Sequence, residues 1–171
     1  MDDLMMRQRG FTIVELLIVI VVIGILAAIS IVAYNGIQQR ARNTQVISGV
    51  EIYHKALRSY HAINSAYPTT GGCLGAGYPA NQCWQGDSGT HYTNSTLDTN
   101  LATVIQSKPT LATSLFSIGI TNNMRAGALY STNTSPRIVY YLSGTNQSCG
   151  VSGATGGNEG GVVTQCVLIL P

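Results

Sequence analysis

The sequence predicts an α+β fold. One long amino-terminal α-helix, half of it suited to a membrane and half of it packed, lies against a small antiparallel β-sheet head with disulfide-pinned loops. Three observations carry this reading. The run from Phe11 to Ala33 is nearly all apolar and carries one charge, Glu15. Apolar or half-apolar positions then recur at helical spacing through Ile37, Ala41, Ile47, Val50, Tyr53, Leu57 and Tyr60. Beyond about residue 62 the chain turns to Gly, Ser, Thr, Asn and Tyr, with apolar segments between turn residues.

The first element is the apolar run. It exceeds the ~20 residues a membrane-spanning helix needs, and it is longer than the apolar region of about 7–15 residues in a secretory signal. "LAAIS" still offers small residues for a signal-type cut near Ala28 or Ser30, which would leave a secreted domain. Orientation is open, because Arg7 and Arg9 precede the run while Arg40 and Arg42 follow it.

The helix continues past Ala33. Its apolar stripe predicts one element from about Thr12 to His61, roughly 75 Å long at about 1.5 Å per residue. Tyr67-Pro68 and Gly71-Gly72 supply stop signals. Glu51 and Lys55 are spaced for an ion pair. His54 and His61 share a face, but without a third ligand nearby they read as solvated or satisfied histidines.

The head follows. "YPTTGGCLGAGYPANQCWQGDSGTHY" reads as a turn-rich loop, with Trp84 packed beneath it. "STLDTNLATVIQS" carries Leu97, Leu101, Val104 and Ile105 at helical spacing, with Ser95 or Thr96 as cap. "AGALYST", "RIVYYLSG" and "VVTQCVLILP" read as strands, and "NQSCGVSGATGGNEGG" as a loop. A sheet of about three or four strands is expected, one face covering the carboxyl half of the long helix.

The four cysteines, Cys73, Cys83, Cys149 and Cys166, contain no C-x-x-C pair, so a zinc ribbon or thioredoxin-type motif is not expected. An even count beside an export-type segment reads as two disulfides. Three connectivities are open; Cys73–Cys83 and Cys149–Cys166 are favoured because each closes a local Gly-rich loop.

Composition limits function. Only 9% of the 171 residues are charged and the net charge is +2, against about 25% charged in an ordinary soluble domain. The basic residues are scattered, so no nucleic-acid partner is predicted, and Arg125 and Arg137 do not change that. No G-x-S-x-G, H-E-x-x-H or P-loop occurs. Beyond the long helix the acids are Asp87, Asp98 and Glu159, with no close pair, and His91 lies among hydroxyl residues. The chain is read as not an enzyme, with no cofactor and no metal. One acid in "GGNEGG" is poor provision for calcium, which takes about six to eight oxygens.

The stretch "RQRGFTIVELLIVIVVIGILAAIS" remains to be explained. A short basic leader ends in Gly10, Phe11 follows, and G-F-T-x-x-E opens the apolar helix. Over about residues 7–45 this resembles the leader and first helix of type IV pilins and type II secretion pseudopilins. The resemblance implies a cut by a prepilin peptidase between Gly10 and Phe11, N-methylation of Phe11, and Glu15 as an assembly residue. Glu15 would pair with the free amine of a neighbouring subunit. Such a pair interacts by about 4 kcal/mol at roughly 4 Å in a partly buried site, less its desolvation. Read without the resemblance, Glu15 is an acid favoured by a helix N-terminus, and Gly10 is any loop glycine. Val32 stands where most of the family has proline, so a straighter helix is expected, with Gly24 a weaker flexible point.

The organisation so implied is a leader at 1–10, a transmembrane or filament-core helix at 11–33 (Phe11, Thr12, Leu16, Gly24 and Ala33 among its residues), a packed helical half at 34–62, and an α+β head at 63–171. The resemblance also implies partners: copies of the chain and related pilins, the peptidase, an assembly ATPase with its membrane platform, and lipid before assembly. The head would face outside the cell membrane, then coat an extracellular pilus or pseudopilus. A non-polymerising single-span surface protein or adhesin is the alternative.

Overall fold

The computed structural model describes residues 11–86, 89–119, 123–133 and 135–171, and in addition leaves the side chain of Val32 undescribed. Gly10, Arg7, Arg9 and Asp87 lie outside the described residues. The architecture is α+β and pilin-like: a long amino-terminal helix, antiparallel sheets and two disulfides in the head. The chain divides after Gln38 into two compact units, and helix α1 (Ile13–Asn64) runs through the boundary.

In the first unit, α1 exposes its large apolar residues along the whole run, from Ile13 and Leu17 to Ile25 and Ile31. The stretch is long and apolar enough to cross a bilayer. Its one hydroxyl in mid-run is satisfied internally, Ser30 Oγ donating to the Leu26 carbonyl at 2.7 Å. A Cβ added at Gly24 meets nothing within 4 Å.

In the second unit, Val46, Val50, Tyr53, Ala56 and Leu57 of α1 are buried. Ile37 and Ala41, expected on the same stripe, are exposed. The helix ends where Ser65 adopts a left-handed φ of 56°, and Asn64 Nδ2 donates to the Tyr60 carbonyl at 2.9 Å. That stop precedes Pro68, so the proline marks the connection rather than the terminus.

Nine strands follow among the described residues of the head: β1 (Gly72–Leu74), β2 (Gln82–Gly86), β3 (Gly89–Tyr92), β4 (Phe116–Ser117), β5 (Met124–Arg125), β6 (Ala128–Ser131), β7 (Arg137–Ser143), β8 (Thr155–Glu159) and β9 (Val163–Ile169). They form a five-stranded antiparallel sheet, β1-β6-β7-β9-β8, and a four-stranded one, β3-β2-β5-β4. Helix α2 (Ser95–Ala102) lies between β3 and β4 in sequence. On β7 the alternation is complete. Ile138, Tyr140 and Leu142 join the core with the α1 stripe and with Leu97 and Leu101 of α2. Val139 and Tyr141 join a second core with Tyr78, Ile118 and Val163. The larger sheet is therefore covered by helix on one face and by the smaller sheet on part of the other. Each fully buried Leu or Val contributes about 1.5–3 kcal/mol.

Polar groups lock this packing. Asn43, buried on α1, accepts from the Ser143 backbone N–H at 2.8 Å and donates to the Ser143 carbonyl at 3.0 Å, so one amide closes the end of β7 as a neighbouring strand would. Gln39 Nε2 donates to the same carbonyl at 2.6 Å. Buried tyrosines tie loops to strands: Tyr78 donates to the Leu74 carbonyl and accepts from the Ala128 N–H, Tyr130 donates to Pro68, and Tyr140 donates to Cys149.

Several expectations are corrected. The Gly-rich stretch after Pro68 holds β1, β2 and β3 rather than a loop. Its glycines allow close approach: a Cβ on Gly71 would lie 2.7 Å from the Tyr130 carbonyl oxygen, and one on Gly72 2.9 Å from Asn94 Cβ. The segment expected as a loop after Cys149 contains β8, paired along β9 from Thr155↔Val167 to Glu159↔Val163. Gly156 is needed there, because a Cβ would come within 2.7 Å of Cys149 Sγ. Asn94 caps α2, its Oδ1 accepting from Thr96 N at 2.9 Å and Leu97 N at 3.2 Å, in place of Ser95 or Thr96. Glu51 and Lys55 are not among the ion pairs of the described residues, which are Lys108–Asp98 and Arg125–Glu159.

Two outcomes are expected. Asn43→Leu removes both hydrogen bonds to the part-buried Ser143 backbone and should cost about 1–3 kcal/mol, read as a lower urea midpoint. Burial raises the phenols of Tyr78, Tyr130, Tyr140 and Tyr141 to about 12. An unfolded tyrosine titrates near 10, so the folded chain holds these protons more tightly. The associated stability is intact below pH ~10 and is lost as pH rises towards ~12. Urea midpoints should be flat from pH 7 to 9 and fall above 10; a midpoint that does not fall would contradict the burial of these hydroxyls.

Candidate functional site

The residues that bear on function lie where the apolar helix begins. Thr12 precedes α1 and Glu15 lies in its first turn. The Thr12 backbone N–H donates to Glu15 Oε2 at 2.8 Å, and the Thr12 hydroxyl donates to the same oxygen at 2.8 Å. In return, the Glu15 backbone N–H donates to Thr12 Oγ1 at 3.2 Å. This reciprocal arrangement is a capping box, T-x-x-E, in which two backbone donors left over at a helix start are satisfied by side chains. The carboxylate is also placed at the positive end of the helix dipole.

Thr12 thus caps α1, a role beyond the dipole and neighbouring-subunit roles expected of Glu15. The T-x-x-E spacing is the signal that identifies it. Phe11 is exposed beside this box, and the apolar residues from Ile13 to Ile31 stay exposed beyond it. The chemistry available is modest: a carboxylate with a local anchor on Oε2, at the mouth of an apolar helix that has no cover of its own in the described unit. Leu16, Gly24 and Ala33 share that exposure.

The head holds a second polar cluster. Arg125 is 7% exposed. Its Nε and Nη2 donate to Glu159 Oε1 at 3.0 and 2.7 Å, and its Nη1 donates to the Gln85 carbonyl. The guanidinium lies 4.5 Å from the Trp84 ring centre. Thus β5 of the smaller sheet is tied to β8 of the larger one by a charged contact with two hydrogen bonds to one carboxylate oxygen. The residues are 34 apart in sequence, and no local pattern signals the pair. Trp84 accordingly sits on β2 as the platform for Arg125, not under a loop.

Cys73 is bridged to Cys83 and Cys149 to Cys166. The first bridge joins β1 to β2, and so one sheet to the other; the second joins the segment before β8 to β9. Among the described residues no group of three or more His, Cys, Asp or Glu side chains is placed to hold a metal. His61 stacks on Tyr67 with ring centres 4.4 Å apart.

With that geometry in view, comparison with known proteins is informative. Residues 5–31 match the family model described as the prokaryotic N-terminal methylation motif. The amino-terminal segment is similar to those of the type II secretion and type IV pilin proteins that follow. The chain is 41% identical over 66 residues to type II secretion system core protein G of Klebsiella pneumoniae, covering 39% of this chain and 47% of that protein. It is 38% identical over 64 residues to the protein of that name in Escherichia coli K12, covering 37% and 44%. It is 35% identical over 72 residues to type IV major pilin protein PilE1 of Neisseria gonorrhoeae, covering 42% and 44%. The chain thus spans less than half the length of these relatives. No solved structure matches it significantly.

The capping box makes a direct prediction. Thr12→Ala removes the hydroxyl that both donates to and accepts from Glu15, and should cost about 0.5–2 kcal/mol at the helix start. In detergent-solubilised protein, amide exchange of the first turn should speed several-fold while the head amides stay unchanged. Equal exchange in both proteins would show that the box does not form in solution.

Proposed function

We propose that the chain is a prepilin-like structural subunit, not an enzyme. It is cut between Gly10 and Phe11 by a prepilin peptidase, methylated on Phe11 and assembled noncovalently into a type IV pilus or pseudopilus. The observation that carries this reading is Glu15, hydrogen-bonded to Thr12 in the first turn of an exposed apolar helix, within the segment that matches the methylation motif. In this reading residues 1–10 are the leader, 11–33 the membrane and then filament-core helix, 34–62 the packed half and 63–171 the head.

The mechanism is one of burial and charge pairing. In the membrane a carboxylate costs about 2.5–3.5 kcal/mol at the bilayer centre. The capping box offsets part of that through Oε2. The new amine on Phe11 of a neighbouring subunit supplies a counter-ion only when the two helices dock at one axial stagger. The pair therefore sets register, and burial of the apolar run beside other helices supplies most of the free energy. The head emerges on the outer side, where disulfides persist. Partners in this reading are copies of the chain, related pilins, the peptidase, and an assembly ATPase with its platform.

The capping box also favours a second reading. Because Glu15 is satisfied within its own helix, a non-polymerising single-span anchor could carry the same residue with no partner. Glu15→Gln separates the two. Glutamine retains a carbonyl oxygen for the Thr12 cap but carries no charge. For a subunit, the variant should be inserted and cut normally yet lose at least about 90% of its incorporation into sheared filaments, a tenfold loss corresponding to ~1.4 kcal/mol. The wild-type amino terminus, sequenced from native filaments, should be Phe11. Full incorporation of the variant, or a native terminus at Met1, would support the anchor instead.

A further inference from the structure

The outer face of the five-stranded sheet is covered in part by the smaller sheet, and beside that cover lies a groove of about 510 Å³. That volume is within the range of small-molecule sites, roughly 300–1,000 Å³. Its floor is an apolar row formed by strand register: Leu129 on β6 lies opposite Val139 on β7, which lies opposite Val167 on β9. Trp84 and His91, paired across β2 and β3 with ring centres 5.2 Å apart, form one wall. Polar side chains with amide, hydroxyl and guanidinium groups border the floor, among them Asn133, Gln165 and Arg137.

The two arginines of the head differ. Arg125 is committed to Glu159. Arg137, on β7 beside the apolar floor, has no carboxylate within ion-pair distance among the described residues, and it is only partly buried. Burial lowers the pKa of His91 from its ordinary value, so near neutral pH the ring adds no second cation. The groove therefore offers one positive charge, an apolar floor on which Val167 keeps the most surface, an aromatic wall and uncharged hydrogen-bonding groups.

We propose that this groove binds a carboxylated saccharide. A sugar ring presents an apolar C–H face to the floor and hydroxyls to the amides, and its carboxylate matches the Arg137 guanidinium as a two-pronged pair. The alternatives fit less well. The floor strands β6, β7 and β9 are hydrogen-bonded on both sides, so the floor itself offers no strand edge to an extended peptide. A single available cation does not track successive phosphates of a nucleic acid. The proposal rests on the head alone and is independent of how the amino-terminal segment is processed.

Trp84 is the only tryptophan in the chain, so intrinsic fluorescence reports on this wall. The full chain in detergent is titrated with digalacturonate, with its neutral counterpart galactobiose, with acetate and with an acidic tetrapeptide. Digalacturonate should give a saturable change in Trp84 emission, with galactobiose and acetate each at least about tenfold weaker. Arg137→Gln should weaken digalacturonate by about tenfold or more. Val167→Glu, which places a like charge on the floor, should do the same, and circular dichroism is used to verify that each variant is folded. If one variant does not fold, the other decides. The absence of a saturable change at millimolar digalacturonate would overturn the proposal. So would acetate or tetrapeptide binding as tightly as digalacturonate, or wild-type affinity in a folded variant.

Discussion

Strand β7 is buried along its middle, from Ile138 to Leu142, with Val139 keeping the most surface at 9% exposed. Side chains on a strand alternate between two faces, so a strand buried on both sides demands cover on both sides. The rest of the head answers that demand. The α1 stripe from Val46 to Leu57 covers Ile138, Tyr140 and Leu142, and α2 adds Leu97 and Leu101. The smaller sheet, with Tyr78 and Ile118, covers Val139 and Tyr141. Asn43 then closes the end of β7 with an amide where a further strand is absent.

The ties between the two sheets are chosen for a thin, glycine-rich head. Cys73–Cys83 links them covalently and Arg125–Glu159 links them through charge. A buried arginine is expensive unless its donors are met. Here three carbonyl or carboxylate partners and the Trp84 ring meet them. Arg125 is thus buried and paired, whereas Arg137 is partly exposed.

The amino-terminal unit obeys a different constraint. Its apolar residues are exposed along the described helix, a state that water penalises and that lipid or other helices relieve. The polar groups there follow the rule for a medium without hydrogen-bonding solvent: Ser30 bonds back to Leu26, and Glu15 bonds back to Thr12. A carboxylate at the helix start is thus compatible with the single chain, and its cap is local.

What the sequence determined by itself is what depends on near neighbours along the chain. The apolar run, the stripe through Val50, Tyr53 and Leu57 and the strands around Ile138 and Val167 all follow from spacing and composition, whereas the sequence left three disulfide connectivities open and the structure decided between them. The T-x-x-E box was equally local and readable. Only the tertiary structure decided that the glycines at 71, 72 and 156 serve close approach rather than loop freedom, because the atoms they avoid, Tyr130 O, Asn94 Cβ and Cys149 Sγ, come from elsewhere in the fold. It likewise decided β8, which has too little side chain to announce a strand and exists through its ladder to β9. The Arg125–Glu159 tie and the groove beside Arg137 belong to the same class, since each brings together residues whose separation along the chain carries no pattern that sequence could show.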